Sequence, residues 1–218
     1  MVRIEYCEFD DTVLYEPEGL VWVKPLDTEK ARIGITSIMA YIAGRLNRVK
    51  IKPIGTIIES GKSIASIESL KYFNIVRSPF DSEIMEINDR IVVRPKLIND
   101  SPYSDGWIAV VKVKGRMDML KPLDLCKDML VEKIRSMRVR CFSAFPDHEI
   151  FEIGVECAAV LPKLNNLVAS IGSREVIHIV SDDPTADIEM IRWSEETGNE
   201  LLEIRKEDTL LHFIVRKP

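Results

Sequence analysis

The stretch SIASIESLKYFNIVRSPF, residues 63–80, decides how the first half of this chain folds. Apolar and polar residues alternate before and after residues 69–72, a pattern that predicts two β-strands joined by a tight turn. Such a hairpin directs the side chain of Lys71 away from the sheet and into solvent. An enzyme that acylates a lysine needs an accessible amine on a rigid loop, so Lys71 is a candidate modification site.

Short runs rich in Val, Ile and aromatic residues continue on both sides of this hairpin, from about residue 13 to residue 113. They are VLYE, LVWVK, ARIGI, RVKIK, GTIIE, SIASIE, EIMEI, RIVVR and WIAVVKV, separated by turn segments such as EPEG, ESGK and INDSPYSDG. Many short strands at this spacing predict a β-sandwich or barrel. One short helix is predicted in TSIMAYIAGRL, and another over residues 123–135. Pro122 suits the start of the second helix, where its missing N–H costs nothing.

The pattern changes after Met137. RVRCFSAF and HEIFEIGV read as strands, LPKLNNLVASI as a helix, EVIHIV as a strand, TADIEMIRWSEETG as a helix that ends at Gly198, and ELLEIRK and TLLHFIVRK as strands. Strands that alternate with helices predict a compact two-layer α/β domain with the helices on one face of a sheet. The sequence therefore predicts two domains, residues 1–136 and 137–218.

Composition excludes several classes of protein. Apolar residues make up 46% of the chain and charged residues 30%, and no apolar run approaches the roughly 20 residues that cross a bilayer. The N-terminus lacks a basic segment followed by an apolar one, so we expect a cytoplasmic protein that does not bind a membrane. The net charge is −5, and no basic stripe with interleaved aromatic residues predicts binding to nucleic acid.

The four cysteines (Cys7, Cys126, Cys141 and Cys157) and the three histidines are scattered along the chain. A zinc site would need clustered Cys and His ligands, so we expect no metal. In a cytoplasmic protein we expect these cysteines to be thiols, with core positions as the default.

A set of residues around the hairpin occurs in a fixed order. The set is Glu68-Ser69-Leu70-Lys71, Ser78-Pro79, Glu83-Ile84, Asn88, Pro95, Asn99, Ser101-Pro102-Tyr103 and Gly106-Trp107, with Tyr15, Gly19, Trp22-Val23 and Arg32-Ile33-Gly34-Ile35-Thr36 upstream. It resembles the glycine cleavage H proteins over about residues 13–135. Leu20 stands where that family usually has His, and Ser82 where it usually has Gly.

The resemblance implies a mainly β barrel-sandwich hybrid fold of the lipoyl type. It also implies lipoate attached covalently to Lys71, with Glu68 and Ser69 beside the attachment point. The strained dithiolane ring of lipoate opens readily to nucleophiles, and its reduced form offers two thiols on a swinging arm. Expected partners are a lipoate ligase or lipoyl transferase, which loads the lysine, and thiol, persulfide or dehydrogenase enzymes, which use the arm.

The second half contains Gly154-Val155-Glu156-Cys157, Ser181-Asp182-Asp183-Pro184, Ala186, Trp193 and Gly198 in order, followed by two strands. This pattern resembles the small sulfurtransferases of the TusA/SirA family over about residues 137–218. The resemblance implies that Cys157 is catalytic and carries a persulfide, favoured by the positive end of a helix dipole.

The motif after Cys157 departs from that family. Ala158 and Val160 replace its two prolines, and the proline of this chain is Pro162. Either the helix begins near Pro162 and leaves Cys157 in a loop, or the helix is kinked. A buried, unreactive cysteine is the alternative interpretation of Cys157.

Three functions follow from these observations. The first is a lipoyl carrier in sulfur transfer or sulfur metabolism that serves partner enzymes, with sulfurtransferase activity through Cys157. The second is a glycine cleavage H protein that carries an aminomethyl group. The third is a non-catalytic scaffold with a degenerate TusA-like docking domain. The sequence leaves the cargo, the partner enzymes and the oligomeric state open.

Overall fold

The computed structural model describes residues 1–218, apart from the side chains of Cys157 and Ala158. The chain divides into two compact units, Met1–Cys141 and Phe142–Pro218. The division lies five residues beyond the boundary expected from the sequence at residue 136. The reason is that Cys141 is buried in the core of the first unit, where it contributes to one cluster with Leu130 and Ile134.

The first unit is built mostly from β-strands. They are β1 (Val2–Ile4), β2 (Cys7–Phe9), β3 (Leu14–Tyr15), β4 (Val21–Pro25), β5 (Lys30–Ile35), β6 (Leu46–Ile51), β7 (Ile57–Ile58), β8 (Ser63–Ser69), β9 (Phe73–Arg77), β10 (Ser82–Ile87), β11 (Ala109–Val113) and β12 (Lys121–Pro122). A seven-stranded sheet has the order β12-β3-β4-β5-β11-β10-β7, a three-stranded sheet has the order β6-β8-β9, and β1 pairs with β2. Buried residues from the two larger sheets share one apolar core, so the predicted barrel-sandwich hybrid is confirmed.

The helices of the first unit are α1 (Ser37–Ala43), α2 (Asp89–Val93), α3 (Leu97–Asp100) and α4 (Leu123–Ser136). The predictions of α1 and α4 are confirmed. The side chain of Thr36 caps α1 by accepting the N–H of Met39. Pro122 is the N-cap residue of α4, and this helix buries Leu123, Cys126, Leu130 and Ile134 against the sheet.

One predicted strand of the first unit is wrong. Residues 90–93 of RIVVR lie in helix α2 and Arg94 is its C-cap, although the β-branched residues favour a strand. The side chain of Asn88 accepts the N–H of Arg90 and caps the helix, which buries Ile91 and leaves Val93 exposed. An N-cap residue and one buried contact therefore outweigh the intrinsic preference of the segment.

The prediction for residues 138–145 is also wrong. This segment forms no strand, and Cys141 within it makes a disulfide with Cys7. The expectation that these two cysteines are thiols is corrected, because both are buried side by side and their Cα atoms lie 4.9 Å apart. Both cysteines lie at the ends of the first unit, so the disulfide joins its N-terminal hairpin β1–β2 to the segment after α4.

A tryptophan links three parts of the first unit. Trp22 is fully buried, and its indole N–H donates to the carbonyls of Ile35 (2.9 Å) and Pro102 (3.1 Å). Trp22 pairs across β4 and β5 with Gly34, and its ring occupies the space where a side chain would stand. A Cβ added at Gly34 would lie 2.3 Å from Cζ2 of the ring. This position therefore requires glycine because of a close approach.

The second unit contains β13 (His148–Glu152), α5 (Cys157–Ser170), β14 (Val176–Ser181), α6 (Ala186–Thr197), β15 (Glu200–Glu207) and β16 (Leu210–Arg216). The sheet order is β13-β14-β16-β15, with β13 and β14 parallel and the other pairs antiparallel. Buried residues of α5 and α6 form one core with alternate residues of β14 and β16. Both helices thus pack on the same face of the sheet, which confirms the two-layer α/β architecture.

The end of α6 and the start of α5 can be compared with what the sequence predicts. Gly198 adopts a left-handed conformation (φ 74°) and ends α6, as the sequence predicts. Helix α5 contains Pro162 in its interior and already includes Ala159 and Val160, so the alternative in which the helix begins near Pro162 is wrong. None of the helices in the described part of the chain is long and apolar enough to cross a membrane.

We expect Gly34→Ala to lower the free energy of unfolding of the first unit by about 1–3 kcal/mol, because the new methyl group overlaps the Trp22 ring. Denaturation in urea measures this loss. In a Trp22→Phe background the same substitution should cost less, because phenylalanine lacks the part of the indole that overlaps. An equal cost in both backgrounds would show that the Trp22 ring is not the cause.

Candidate functional site

Lys71 lies at the tip of the hairpin formed by β8 and β9, where the strands pair from Ser63 and Arg77 up to Glu68 and Phe73. The N–H of Ser69 donates to the carbonyl of Tyr72 (2.8 Å) and closes the turn. The hydroxyl of Ser69 accepts the N–H of Lys71 (3.3 Å). The side chain of Lys71 is exposed, so its amine is open to an acylating enzyme.

Lys71 lies between two exposed apolar side chains and close to two residues that stabilise the hairpin. Leu70 is 93% exposed and Phe73 is 66% exposed, so apolar surface lies on both sides of the lysine. Glu68 belongs to the adjacent strand, and its carboxylate lies 3.9 Å from the guanidinium of Arg48 on β6. The expected site residues Glu68 and Ser69 therefore belong to the structure of the hairpin: one pairs across the sheet and the other supports the turn.

The turn is anchored to the core on its inner side. The hydroxyl of Tyr72 accepts the side-chain amide of Asn74 (2.8 Å) and lies 3.8 Å from the sulfur of Met39 on α1. Tyr72 also packs against the apolar core of the first unit. One residue after the exposed lysine, the chain is thus held in place, which gives Lys71 a fixed position.

A cleft of about 490 Å³ opens beside the same hairpin. Its lining includes Val21 of β4, Ile35 of β5, and Asn74, Ile75 and Arg77 of β9. This volume falls within the range of small-molecule pockets. Asn74 is three residues from Lys71 in the chain, whereas Gly61 and Arg77 of the lining lie at the opposite end of the hairpin.

The sequence did not reveal this cleft. Its residues come from segments that are far apart in the chain, and only the order of the strands brings them together. The one available signal was Leu20, which stands where glycine cleavage H proteins usually have His and which lines the cleft.

Two buried asparagines of the family motif fix loops of the first unit. The side chain of Asn99 donates to the carbonyls of Ala40 and Gly44 and accepts the N–H of Leu46, which fixes the end of α1. Asn88 donates to the carbonyls of Asp105 and Trp107. Buried amides with several partners specify the path of a loop, so these two motif residues have structural roles.

The site residue expected in the second unit, Cys157, has a side chain outside the described residues. The segment before it is held by the carboxylate of Asp182, which accepts the N–H of Gly154 (2.8 Å). An ion pair between Lys163 and Glu152 (2.8 Å) joins α5 to β13 nearby. Asp182 belongs to the Ser181-Asp182-Asp183-Pro184 motif, so this motif lies against the segment that leads to Cys157.

The structure brings together two histidines that are distant in sequence. Nε2 of His178 lies 2.9 Å from Nδ1 of His212, and both side chains are buried on the face of the sheet opposite the helices. Phe142 packs on His178 with a ring separation of 4.4 Å. Among the described residues no group of three or more His, Cys, Asp or Glu side chains is placed to hold a metal ion.

Cys126 is a free thiol in the core of the first unit. Its sulfur lies 3.4 Å from the carbonyls of Pro122 and Leu123. Burial raises the pKa of the Cys126 thiol above its ordinary value, with a smaller opposing effect from Lys121. A buried thiol with a raised pKa is a poor nucleophile, so Cys126 has the character of a core residue.

Comparison with known proteins finds a family model that matches each half of the chain. Residues 13–133 match the glycine cleavage H-protein family, and residues 152–217 match the family described as sulfurtransferase TusA. Proteins of the first family carry covalently attached lipoate, and proteins of both families work with partner enzymes.

The chain is 36% identical over 138 residues to a probable glycine cleavage system H protein 3 of Sulfurisphaera tokodaii, covering 63% of this chain and 98% of that protein. It is 40% identical over 116 residues to glycine cleavage system H protein 5 of Aquifex aeolicus, covering 51% of this chain and 78% of that protein. The crystal structure of a glycine cleavage system H protein from Mycobacterium marinum superposes with a TM-score of 0.51 at 24% identity. It covers 56% of this chain and 98% of that chain, and it shows the fold.

We expect Cys126 in the folded protein to react with iodoacetamide at pH 8 at least about tenfold more slowly than in denaturant, because the raised pKa and burial both lower the amount of accessible thiolate. The rate should rise as the pH rises toward the pKa. Peptide mass spectrometry follows the reaction.

A matched control is Leu125→Cys in a Cys126→Ser background, because Leu125 lies one residue earlier on α4 and is 71% exposed. The cysteine at position 125 should react rapidly. If Cys126 reacted as fast as this control, the assignment of Cys126 to the inert core would be wrong.

Proposed function

Since the chain belongs to the glycine cleavage H-protein family, we propose that it is a lipoyl carrier with lipoate attached to Lys71. The observation that carries this proposal is the hairpin tip: an exposed lysine is followed directly by Tyr72, which is anchored to the core. Glu68 and Ser69 contribute by fixing the shape of the tip.

The residues present fit the group that the family carries. An amide bond to lipoate needs an exposed amine, which Lys71 offers, and the end of the arm needs an apolar surface, which the adjacent cleft offers. When bound, lipoate supplies a strained disulfide or, in its reduced form, two thiols. Lys71 holds the arm, and Tyr72 fixes the backbone next to the attachment point.

We further propose that the carrier serves sulfur transfer or sulfur metabolism, with Cys157 as a persulfide-bearing residue of the second unit. The match of residues 152–217 to the sulfurtransferase TusA family supports this role. Fusion of the two units raises the effective concentration of one reactive group near the other, typically to the millimolar range.

The partners in this proposal are a lipoate ligase or lipoyl transferase for loading, and thiol, persulfide or dehydrogenase enzymes for use of the arm. A cytoplasmic location belongs to the same proposal, because proteins of this family are typically cytoplasmic. The boundary between the carrier domain and the sulfurtransferase-like domain falls near residues 136–141.

A second candidate function is that of a glycine cleavage H protein which carries an aminomethyl group. The names of the relatives favour it, since they are glycine cleavage system H proteins. Glycine–bicarbonate exchange with a glycine decarboxylase separates the two functions. Exchange that depends on Lys71 would support the aminomethyl carrier.

The lipoyl proposal predicts that Lys71→Arg abolishes the lipoyl mass found on the protein from a lipoylating host, because an arginine cannot form the amide. Intact-mass spectrometry measures the change. Lys62→Arg is the matched control, since Lys62 is an exposed lysine at the opposite end of the same strand pair. Lipoate that persists in the Lys71→Arg protein would place the attachment elsewhere.

The sulfur-transfer proposal predicts that the folded protein, treated with polysulfide, gains one sulfur atom on Cys157. Peptide mass spectrometry with an alkylating label detects the persulfide. Cys157→Ser should remove the added sulfur, whereas Cys126→Ser should retain it because the buried Cys126 does not take part. If no persulfide formed on Cys157, the second unit would have no role as a sulfur donor.

A further inference from the structure

We propose that the outer face of the sheet β6-β8-β9 is the docking surface for the enzyme that lipoylates Lys71, and that this enzyme meets a row of basic side chains there with carboxylates. The row consists of Arg48, Lys50 and Lys52, which we call the basic stripe. The inference rests on the lipoyl carrier function and names the surface that its loading partner recognises.

The basic stripe runs along one strand. Arg48 and Lys50 belong to β6, and Lys52 continues the pairing because its N–H donates to the carbonyl of Ile64 (3.0 Å). Alternate residues of a strand point to the same face, so the three basic side chains follow one another at intervals of about 7 Å. All three are exposed, whereas Val49 between them is buried in the core. The stripe therefore lies on the outer face of the sheet.

The other two strands add different groups to this face. Arg48 lies opposite Glu68 of β8, and Glu68 lies opposite Phe73 of β9. In the next outward-facing row, Lys50 lies opposite Ser66. Residues that are opposite each other in antiparallel strands point to the same side of the sheet. The face thus combines a basic strand, a polar strand and an exposed aromatic ring, and apolar groups bordered by charge are typical of protein–protein interfaces.

Few carboxylates compensate the stripe. The sequences of the three strands contain one acidic residue, Glu68, whose carboxylate lies 3.9 Å from the guanidinium of Arg48. Among the residues that the structure describes, no carboxylate forms an ion pair with either lysine of the stripe. Helix α2 also contacts β6, and it brings one acidic residue, Asp89, and one basic residue, Arg90. An excess of positive charge therefore remains open to a partner.

The charge of the rest of the chain indicates which kind of anion fits. The whole chain has a net charge of −5, and residues 45–52 contribute four basic side chains and no acidic one, so the remainder carries −9. This remainder repels an extended polyanion such as nucleic acid or an anionic bilayer. A protein can present a few carboxylates at one place, so a protein with an acidic rim is the partner that fits.

The position of the stripe favours the loading enzyme over enzymes that use the arm. Arg48 lies opposite Glu68, which is three residues before Lys71, so the stripe begins close to the hairpin tip. An enzyme that acylates Lys71 must reach an amine at the end of a four-carbon stem, and it therefore has to close over the hairpin. The loaded arm is longer, so the enzymes that use it can act farther from the sheet.

The loading step is an acyl transfer from activated lipoate, an acyl adenylate. The amine of Lys71 attacks the acyl carbon and forms the carbon–nitrogen bond of the amide. The bond from that carbon to the phosphate oxygen breaks, AMP leaves with the electron pair, and the nitrogen loses a proton. The stripe takes no part in these bonds, so we expect its charge to act on docking and therefore on KM.

The test measures lipoylation of the full-length apo protein by the lipoate ligase of the same cells, with ATP and lipoate. Lys50→Glu combined with Lys52→Glu should raise KM about tenfold at low ionic strength, because the reversed charges repel an acidic rim. The kcat should change by less than about twofold. In about 0.5 M NaCl the difference in KM should shrink to about twofold, because salt screens exposed charges.

Two variants serve as controls, and urea denaturation verifies that all variants are folded. Lys50→Arg combined with Lys52→Arg keeps the positive charge and should keep the wild-type KM. Lys30→Glu combined with Lys121→Glu is the matched control, because both lysines are exposed on the seven-stranded sheet and the change in net charge is the same. An equal rise of KM in both charge-reversed proteins would overturn the inference, and so would a rise that salt leaves unchanged.

Further outcomes separate the docking surface from other anions and from the carrier function. Binding of oligothymidylate or of phosphatidylglycerol vesicles to the wild-type protein, lost in the Lys50→Glu, Lys52→Glu protein, would make the stripe a polyanion site and overturn the inference. A wild-type KM in that variant would overturn the docking surface and leave the carrier proposal intact. Absence of lipoate on Lys71 in every protein would overturn the carrier proposal, and the docking inference with it.

Discussion

The close packing of the Trp22 ring on Gly34 is the constraint on which the first unit depends. The ring fills the space above the glycine, and its N–H joins β5 to the loop at Pro102. This contact sets the register of β4 against β5 and therefore brings Val21 beside Ile35. Those two residues line the cleft, so the fit of one indole against one backbone determines part of its surface.

The sequence predicted the parts of the structure that depend on local alternation. The hairpin at Lys71 and helix α4 follow from periodicity within one segment, and the resemblance added the attachment role. The strand prediction for RIVVR failed because a local contact, the cap by Asn88, outweighs the β preference of the segment. The prediction for the segment around Cys141 failed because a distant contact decides there, the disulfide with Cys7. The cleft was missed for the same reason, since the strand order that assembles it cannot be read from any single stretch.

The residues that carry the family resemblance divide into two groups with different physical roles. Trp22, Gly34, Asn88 and Asn99 are buried or closely packed, and they hold backbone segments together. Lys71 is exposed, and the hydrogen bonds around it shape the turn while its amine faces water. A carrier needs this separation, because the attachment point must be open to several enzymes in turn while its position stays constant.

The Cys7–Cys141 disulfide closes a covalent ring around almost the whole first unit, with a sequence separation of 134 residues. The second unit begins at the next residue, Phe142. Any mechanical load applied through the second unit, for example by an unfolding protease that pulls from the C-terminus, enters the first unit at the disulfide. The load then passes to the N-terminal hairpin instead of peeling α4 from the sheet. The first unit is therefore a closed covalent loop under such a load, which allows the second unit to be unfolded and removed while the first stays folded.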